Sequence, residues 1–306
     1  MLGEYKMTKW DSEYIKLCKK ILEEGTLVQN RTGTDSIKIP GYFLEFDLQK
    51  EFPVLTTKKL YFKNAITEIL WIYQAKSNDV RWLKERGNHI WDEWEIDDDG
   101  IWHATQMLPN KEGVLEKVKV EKKFDKKYAN TIGTAYGYIV NKYNLTDKII
   151  NTIKTNPRDR RIVISLWQDK YLETAVLPSC VWSTEWDVTG EYINLFVHQR
   201  SCDVPLGLPF NVTQYATFLS LIAQVTNYKP GKIYWSIKDA HIYVNQVEGI
   251  KEQIKRYETN PDIKAPTLWL NKEIKDFYKF DNSRELKDIK IKNYESLGPI
   301  KFEISQ

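Results

Sequence analysis

The segment CVWSTEWDVTGEYINLFVHQRS, residues 180–201, has the pattern of two β-strands joined by a tight turn. Both arms are rich in aromatic and β-branched residues, and Thr189-Gly190 between them is a turn signal. Side chains alternate along a strand, so one face of the first arm should carry Cys180, Trp182, Thr184, Trp186 and Val188. The pattern predicts a β-hairpin with a cysteine at its entrance.

Further strands and helices are predicted on both sides of this hairpin in the C-terminal half. RRIVISLW (160–167) is typical of a strand, and NVTQYATFLSLIAQVTN (211–227) of a buried helix with Asn211 as its N-cap. After it, we expect a strand at 231–244, a short helix at 245–256 and an extended tail at 297–306.

The N-terminal region adds helices and one long strand. Residues 10–25 have helical spacing, with Asp11 or Ser12 as the N-cap and Gly25 as the end. The alternation over 36–48 predicts a strand that a turn or bulge interrupts at Pro40-Gly41, and two helices are expected at 64–75 and 77–87.

Residues 97–130 differ from the rest of the chain. They are heavily charged and have no sustained period, so we expect a surface insertion with one short hairpin. Length alone allows one large domain or two small ones. Because the elements follow no βαβ rhythm and no linker or repeat is visible, the sequence predicts a single α+β domain over residues 1–306.

Composition limits the class of protein. The chain has 306 residues, and 45 Lys and Arg against 42 acidic residues give a net charge of only +3. This charge does not indicate a general attraction to nucleic acids or membranes. Three cysteines without C-x-x-C spacing and four scattered histidines indicate neither a disulfide framework nor a metal site. No segment resembles a membrane span or signal peptide, so we expect a cytoplasmic protein.

Cys180 is the first candidate for chemistry. A lone cysteine is most often a small buried hydrophobe. A hairpin, however, would bring Arg200, at the end of the second arm, back toward Cys180 at the start of the first. A guanidinium near a thiol favours the thiolate, and its planar fork also binds paired anionic oxygens. The alternative for Arg200 is a surface ion pair.

Two other basic segments are candidates for an anion site. NRTGTDS (30–36) sets Arg31 in a loop with glycine and hydroxyl residues, and NPRDRRIV (156–163) places Arg158, Arg160 and Arg161 just before a strand. The default interpretation of the second segment is a solvated basic turn. Together with Arg200, these arginines could form a phosphate clamp.

Three further side-chain groups stand out. Glu68 lies in an apolar helix, where a buried carboxylate should have a raised pKa and could transfer protons; otherwise it lies on the exposed edge. Trp91 and Trp94 have helical spacing, which indicates core packing or a stacking platform. His241 and Tyr243 share one face of a strand and could bind the same small polar group.

These residues lie in motifs that closely resemble folate-dependent thymidylate synthases, a family that also includes pyrimidine hydroxymethylases. The resemblance runs from Arg31 to the C-terminus apart from the insertion, and QRSCDVPLGLPFN (199–211) is its longest motif. The shorter matching motifs are LTTKKL (55–60), TEILWIYQ (67–74), IWDEW (90–94), GTAYG (133–137), RDRR (158–161), LPSC (177–180) and DAHIYVN (239–245).

The resemblance implies an enzyme that converts dUMP to dTMP with 5,10-methylenetetrahydrofolate as carbon donor and reductant. It implies a mixed, largely antiparallel, bent β-sheet flanked by helices, and a homodimer paired through these sheets. Cys180 would be the nucleophile that adds to C6 of the pyrimidine, because C6 is the β-carbon of an unsaturated carbonyl system. Glu68 would relay protons to the pyrimidine carbonyl, and Tyr136 would help to remove the C5 proton.

The nucleotide site is also implied by the resemblance. Arg31, Arg200 and Ser201 would bind the 5′-phosphate, with Arg160 and Arg161 reaching across from the partner subunit. His241 and Tyr243 would bind the 3′-hydroxyl. Asn211 would accept from N3–H and donate to O4 of uracil, a pattern that cytosine reverses. The remaining residues expected at the nucleotide are Gln199, Cys202 and Asp203.

The same resemblance places the folate. Asp203 would meet the pterin as a catalytic carboxylate, Ile90 and Trp91 would pack along the cofactor, and Lys58 would meet its glutamate tail. The C-terminal segment would close over it and exclude water. The other expected folate contacts are Tyr61, Gly207, Phe210 and Ser305.

The sequence departs from the family at three places. Val181 and Glu185 stand where most members have His and Gln, although a Bacillus-like branch also has Val at the first place. The chain ends in Ser305-Gln306 where an apolar residue is usual. Glu185 and the altered C-terminus keep open a hydroxymethylase, which would release hydroxymethyl-dUMP and tetrahydrofolate. An inactive scaffold that binds nucleotide or RNA is the alternative from another class.

Overall fold

The computed structural model describes residues 8–30, 33–260 and 263–305. Its helices are α1 (Lys9–Glu24), α2 (Phe62–Tyr73), α3 (Val80–Lys84), α4 (Gly137–Lys142), α5 (Leu145–Thr155), α6 (Gly207–Val225) and α7 (Val247–Thr259). Its strands are β1 (Thr26–Val28), β2 (Ser36–Asp47), β3 (Ile101–Pro109), β4 (Leu115–Lys123), β5 (Val163–Ser165), β6 (Val181–Thr189), β7 (Tyr192–Gln199), β8 (Cys202–Asp203), β9 (Lys229–Tyr243), β10 (Thr267–Leu270) and β11 (Ile289–Lys292).

A seven-stranded sheet is the centre of the described structure. Its strands follow the order β1-β2-β9-β7-β6-β5, and β8 pairs with β9 off this path. The pairs β7–β9 and β8–β9 are parallel, and the other pairs in this sheet are antiparallel. The predicted α+β class with a mixed, largely antiparallel sheet flanked by helices is therefore confirmed.

The two faces of this sheet have different surroundings. Helix α6 packs against β7, β8 and β9, and α1 packs against β2 and β9. Inward-facing residues such as Leu44, Leu195 and Trp235 are buried there. On the opposite face, Phe43 and Phe196 are 59% and 37% exposed, and each ring stacks on Tyr234. The described helices leave this second face open, and it carries exposed aromatic rings together with charged pairs such as Glu45 with Lys232.

The predicted hairpin is strands β6 and β7. They pair from Val181↔Gln199 to Thr189↔Tyr192, and Gly190 in the turn has a φ of +62°, which glycine adopts without strain. A β-bulge between Val181 and Ser183 breaks the alternation, so Trp182 is exposed while Thr184 and Trp186 are buried. The expectation that all five residues share one face was wrong at this bulge.

Two predicted helix caps were also wrong. Helix α6 begins at Gly207, so Asn211 lies inside the helix. The N-cap of α1 is Thr8, whose hydroxyl accepts from the backbone N–H of Asp11 at 2.9 Å. The Asp11 carboxylate instead is buried, and it accepts hydrogen bonds from the backbone and hydroxyl groups of Thr56 and Thr57. It thus fixes the LTTKKL segment to α1.

Other predicted boundaries agree with the structure. Gly25 ends α1, and a Cβ there would lie 2.3 Å from the carbonyl oxygen of Ile21. By contrast, the predicted interruption at Pro40-Gly41 was wrong: strand β2 is continuous there, and the positive φ of Gly41, +71°, causes no shift in register. No described helix combines the length and the apolar character that crossing a bilayer requires.

The segment 97–130 forms a hairpin longer than expected. Strands β3 and β4 have nine residues each and pair along their whole length. His103 at its base lies 2.9 Å from the carboxylate of Asp97 and 3.3 Å from that of Glu121. A second two-stranded sheet, β10–β11, was not predicted.

Candidate active site

A cavity of about 360 Å³ opens where the first turn of α6, the ends of β7 and β9, the entrance of β6 and the C-terminal segment meet. Most residues that the sequence singled out line this one cavity. They are Glu68, Ile90, Trp91, Tyr136, Cys180, Gln199, Arg200, Ser201, Asp203, Gly207, Phe210, Asn211, His241, Tyr243 and Ser305. A wider groove of about 860 Å³ beside Trp269 contains none of them.

Five predicted site residues in the described part of the chain do not line the cavity, and a sixth, Arg31, lies outside the described residues. Arg160 and Arg161 are exposed before β5, and Arg161 pairs with Asp159 at 2.9 Å. Cys202 is fully buried, Tyr61 is 55% exposed, and Lys58 is buried with its ammonium bonded to the carbonyl of Pro205.

The Cys180 thiol faces a guanidinium. Nη2 of Arg200 lies 3.9 Å from Sγ, and the backbone N–H of Arg200 donates to the Cys180 carbonyl at 2.9 Å. Arg200 is held by the carbonyls of Pro178, at 2.6 Å from Nη2, and Ser179, at 3.1 Å from Nε. The hydroxyl of Tyr136 accepts from the backbone N–H of Cys180 at 2.8 Å. A fixed cation at this distance favours the thiolate.

The other two cysteines are different chemically. Burial raises the pKa of the Cys18 thiol to about 12 and that of the Cys202 thiol well above its ordinary value. Both are fully buried, whereas Cys180 is half-buried at the cavity wall. Cys18 is therefore part of the hydrophobic core, and Cys180 is the thiol placed for reaction.

Glu68 is a buried carboxylate in α2. The indole N–H of Trp91 donates to Oε1 at 2.8 Å, and the Gln214 amide donates to Oε2. Burial raises the pKa of Glu68 to about 7, although both hydrogen bonds oppose the rise. The carboxyl can therefore hold or release a proton near neutral pH, as expected for a proton-transfer group.

A row of amides joins Glu68 to the far wall of the cavity. Trp235 Nε1 donates to Gln199 Oε1 at 3.0 Å, Gln199 Nε2 donates to Asn211 Oδ1, and Asn211 Nδ2 donates to Gln214 Oε1, the last two at 3.1 Å. The indole can only donate and an ionised Glu68 carboxylate only accepts, so the two ends fix the orientation of every amide between them. Asn211 thus presents an acceptor and a donor in a defined order.

Asp203 lies deep in the cavity wall. Oδ1 accepts from the backbone N–H of Leu206 at 3.0 Å, and Oδ2 accepts from the Gln246 amide at 3.2 Å. Burial raises the pKa of this carboxyl above its ordinary value, and the two hydrogen bonds oppose the rise.

The histidine of β9 has a fixed orientation. His241 Nδ1 lies 2.9 Å from Asp239 Oδ1, and the His241 and Tyr243 rings meet edge to face at 5.1 Å. Burial opposes ionisation of Asp239, but its bonds to His241 and Lys38 lower the pKa of this carboxyl to about 2. An ionised Asp239 holds one ring nitrogen, so the other is directed elsewhere.

Sequence reasoning missed Gln214, Gln246 and Asp239. Each supports a predicted residue. The contacts of Gln214 with Glu68 and of Gln246 with Asp203 join segments that are distant in sequence, whereas Asp239 lies only two residues before His241 on β9. Gln214 did give a signal, because it is a polar residue one helical turn after Asn211 on a buried helix.

The unusual Glu185 does not line the cavity. Its carboxylate lies 2.9 Å from Nε2 of His198, whose Nδ1 lies 3.0 Å from the Ser236 hydroxyl. Glu185 pairs with Phe196, which is on the open face of the sheet. Glu185 thus bonds to His198 on the open sheet face and is not part of the wall around the thiol.

Comparison with known proteins identifies the family. The family model described as thymidylate synthase matches residues 12–306. A thymidylate synthase of Clostridium beijerinckii is 41% identical over 299 residues, covering 98% of this chain and 100% of the relative. One of Bacillus mojavensis is 35% identical over 310 residues, with the same coverage. The solved structure of thermostable thymidylate synthase A from Bacillus subtilis has a TM-score of 0.79, 33% identity, and coverage of 97% of this chain and 99% of its own. The chain belongs to the thymidylate synthase family.

Proposed function

We propose that this chain is a thymidylate synthase, a methyltransferase that converts dUMP to dTMP with 5,10-methylenetetrahydrofolate and releases dihydrofolate. The observation that carries the proposal is the pairing of the Cys180 thiol with Arg200 opposite the oriented amide of Asn211. A nucleophile and a reader of a pyrimidine edge thus line the same cavity.

The base would be recognised by Asn211. Oδ1 already accepts from Gln199 and Nδ2 already donates to Gln214, and each atom retains one further hydrogen-bonding position. Uracil matches these positions, because its N3–H donates and its O4 accepts. Cytosine offers the opposite pattern, which would leave buried groups unpaired.

The thiolate of Cys180 would add to C6 of dUMP. The C5–C6 double-bond electrons move toward C5 and O4 as the S–C6 bond forms, and C5 becomes the carbon that takes up the transferred carbon. Glu68, with a pKa of about 7, would supply a proton toward O4 through water. Tyr136, whose hydroxyl bonds the Cys180 backbone, would help to remove the C5 proton.

The anionic and sugar ends of dUMP would bind next to the thiol. Arg200 and Ser201 line the cavity, and Arg31 is proposed as a further phosphate ligand. His241 and Tyr243 would bind the 3′-hydroxyl, since Asp239 fixes the histidine ring. Gln199 and Asp203 complete the proposed nucleotide site, to which Cys202, whose side chain is fully buried, would contribute through its backbone.

The remaining cavity wall fits a reduced folate. Ile90, Trp91 and Phe210 form an apolar side for a planar ring, and Asp203 supplies a carboxylate. The Ser305 hydroxyl is buried and has no hydrogen-bond partner among the described residues, so a polar group of a ligand would satisfy it. When bound, the folate supplies the carbon and the reducing equivalents. Its other proposed contacts are Gly207 beside the ring and Lys58 and Tyr61 at the glutamate tail.

A homodimer through the open sheet face is part of the proposal. This face carries exposed apolar side chains, among them Phe43, Trp182 and Phe196. Pairing two copies there would bury them, and it would let Arg160 and Arg161 reach the partner's phosphate site. We propose a single domain over residues 1–306, with the 97–130 hairpin as a surface insertion.

Product analysis tests the proposal. The purified chain is incubated with dUMP and 5,10-methylenetetrahydrofolate, and nucleotide and folate products are separated by chromatography. Equal amounts of dTMP and dihydrofolate are expected, and the names of the relatives favour this outcome. Hydroxymethyl-dUMP with tetrahydrofolate would identify a hydroxymethylase instead, and no turnover would support a binding scaffold.

A further inference from the structure

Gln246 joins three parts of the cavity through one side chain. It lies in the turn between β9 and α7 and is 1% exposed. Oε1 accepts from the backbone N–H of Tyr243 at 3.0 Å. Nε2 donates to Oδ2 of Asp203 and to the backbone carbonyl of Glu303, both at 3.2 Å. Strand β9, the Asp203 carboxylate and the C-terminal segment are therefore all hydrogen-bonded to the same amide.

The chemistry of these partners leaves one orientation for the amide. A backbone N–H can only donate, so it requires Oε1 of Gln246. A backbone carbonyl only accepts, as does an ionised Asp203, so both require Nε2. A side chain without both a donor and an acceptor would leave at least one buried polar group unpaired.

The C-terminal segment is anchored next to this amide. Phe302 is buried, with its ring against Gly249 of α7, where a Cβ would lie 2.4 Å from Cε1 of the ring. Nζ of Lys58 lies 4.6 Å from the centre of the same ring. Asn245 Nδ2 donates to Oε2 of Glu303 at 3.3 Å. These contacts fix the backbone that leads into the cavity wall.

The segment after this anchor forms part of the site. Ile304 and Ser305 line the cavity together with Asp203 and Tyr243. If Phe302 leaves Gly249, the Glu303 carbonyl leaves Gln246, and the amide that holds Asp203 loses one of its partners. The position of the C-terminal segment and the position of the Asp203 carboxylate are thus linked through the side chain of Gln246.

We propose that Gln246 is a positioning residue that couples the seating of the C-terminal segment to the placement of the Asp203 carboxylate. The inference rests on the proposed function, in which Asp203 and the C-terminal segment bind the folate. Replacing the amide by a carboxylate should weaken folate use more than dUMP binding. The new side chain keeps an oxygen that accepts from the Tyr243 N–H, but it loses the donor to Asp203 and to the Glu303 carbonyl.

The test compares three variants of the full chain. Gln246→Glu keeps the size but places a carboxylate against Asp203 and the Glu303 carbonyl. Gln253→Glu is the matched control, because Gln253 is also a buried amide but lies within α7 and donates to Thr57. Gly249→Ala displaces the Phe302 ring and improves the helix propensity of α7, so it loosens the tail without weakening the helix.

We expect Gln246→Glu to raise the KM for 5,10-methylenetetrahydrofolate about 10-fold and to leave the KM for dUMP within about 2-fold of wild type. Gly249→Ala should shift the folate KM in the same direction. In both variants, hydrogen exchange of residues 300–305 should accelerate. Gln253→Glu should change neither the ratio of the two KM values nor the exchange of the tail.

Two results would overturn the inference. One is an equal rise of both KM values in Gln246→Glu, which indicates only a general loss of structure. The other is unchanged hydrogen exchange at 300–305 in that variant. A wild-type chain that forms no dTMP would instead contradict the proposed function, while the exchange measurement still tests the coupling without turnover.

Discussion

Nη2 of Arg200 lies 3.9 Å from Sγ of Cys180, although the two residues are 20 positions apart at opposite ends of a hairpin. The pairing of β6 with β7 brings them together, and the carbonyls of Pro178 and Ser179 hold the guanidinium in place. The cation favours the charged form of the sulfur, which attacks electrophiles, and it also faces the proposed phosphate site. One arginine can therefore serve both the nucleophile and the substrate.

Replacing Arg200 should make the Cys180 thiol less reactive. In Arg200→Gln, alkylation of Cys180 by iodoacetamide at neutral pH should slow about 10-fold, because the thiolate loses its nearby cation. Peptide mass spectrometry measures the rate at each cysteine. Cys18 and Cys202 are internal controls, since burial raises the pKa of both thiols. An unchanged rate at Cys180 would show that Arg200 does not activate the sulfur.

Glu68 should make both activity and stability depend on pH. Burial raises its pKa from 4.5 to about 7, so the folded state binds this proton more tightly than the unfolded state. The stability contributed by the protonated carboxyl is complete below pH 4.5 and is lost as the pH rises to about 7, a change of about 3 kcal/mol.

The variant Glu68→Gln removes this titration. Its kcat should fall about 10²-fold, because no group then transfers the proton toward O4. Denaturant unfolding between about pH 4.5 and about pH 7.5 should show a smaller loss of unfolding free energy than in wild type. The same pH dependence in both proteins would place the titration on another residue.

Asn211 should determine the choice of pyrimidine. Asn211→Asp replaces the donor Nδ2 by a carboxylate oxygen, so kcat/KM for dUMP should fall about 10²-fold while dCMP gains turnover or binding. Steady-state assays with both nucleotides measure the change. If the variant still prefers dUMP as strongly as wild type, base recognition lies elsewhere in the cavity.

Mixing two inactive variants tests the shared site. In the proposed homodimer, Arg160 and Arg161 of each subunit complete the site of the other subunit. A mixture of Cys180→Ser with the double variant Arg160→Ala, Arg161→Ala should therefore regain about one quarter of wild-type activity. Half of the dimers would then contain one complete site. A mixture that stays inactive after subunit exchange, shown by differently tagged chains, would mean that these arginines act within their own subunit.

Local patterns in the sequence were sufficient to predict much of the fold. Aromatic and β-branched arms around Thr189-Gly190 predicted β6 and β7, and the apolar run at 211–227 predicted a buried helix. The bulge before Ser183 could not be predicted, because one extra residue in a ladder depends on the partner strand. The prediction of Asn211 as the N-cap was wrong, because the helix already starts at Gly207 and contains Pro209 in its first turn.

The sequence predicted those residues of the candidate site whose side-chain chemistry alone indicates a role. Cys180, Arg200 and Glu68 are recognisable from the sequence, and the structure brings them to one cavity. Gln214 and Gln246 act by holding other side chains, and their partners lie far away in sequence. Such supporting contacts depend on the packing of α6 and α7, which no local pattern encodes.

Release of tritium from C5 of labelled dUMP tests the central claim most directly. Wild type with 5,10-methylenetetrahydrofolate should release tritium in step with dTMP formation, because loss of the C5 proton follows addition of the Cys180 sulfur to C6. Cys180→Ser should release it at least about 10³-fold more slowly. Release at the wild-type rate in Cys180→Ser would contradict the assignment of this sulfur as the nucleophile.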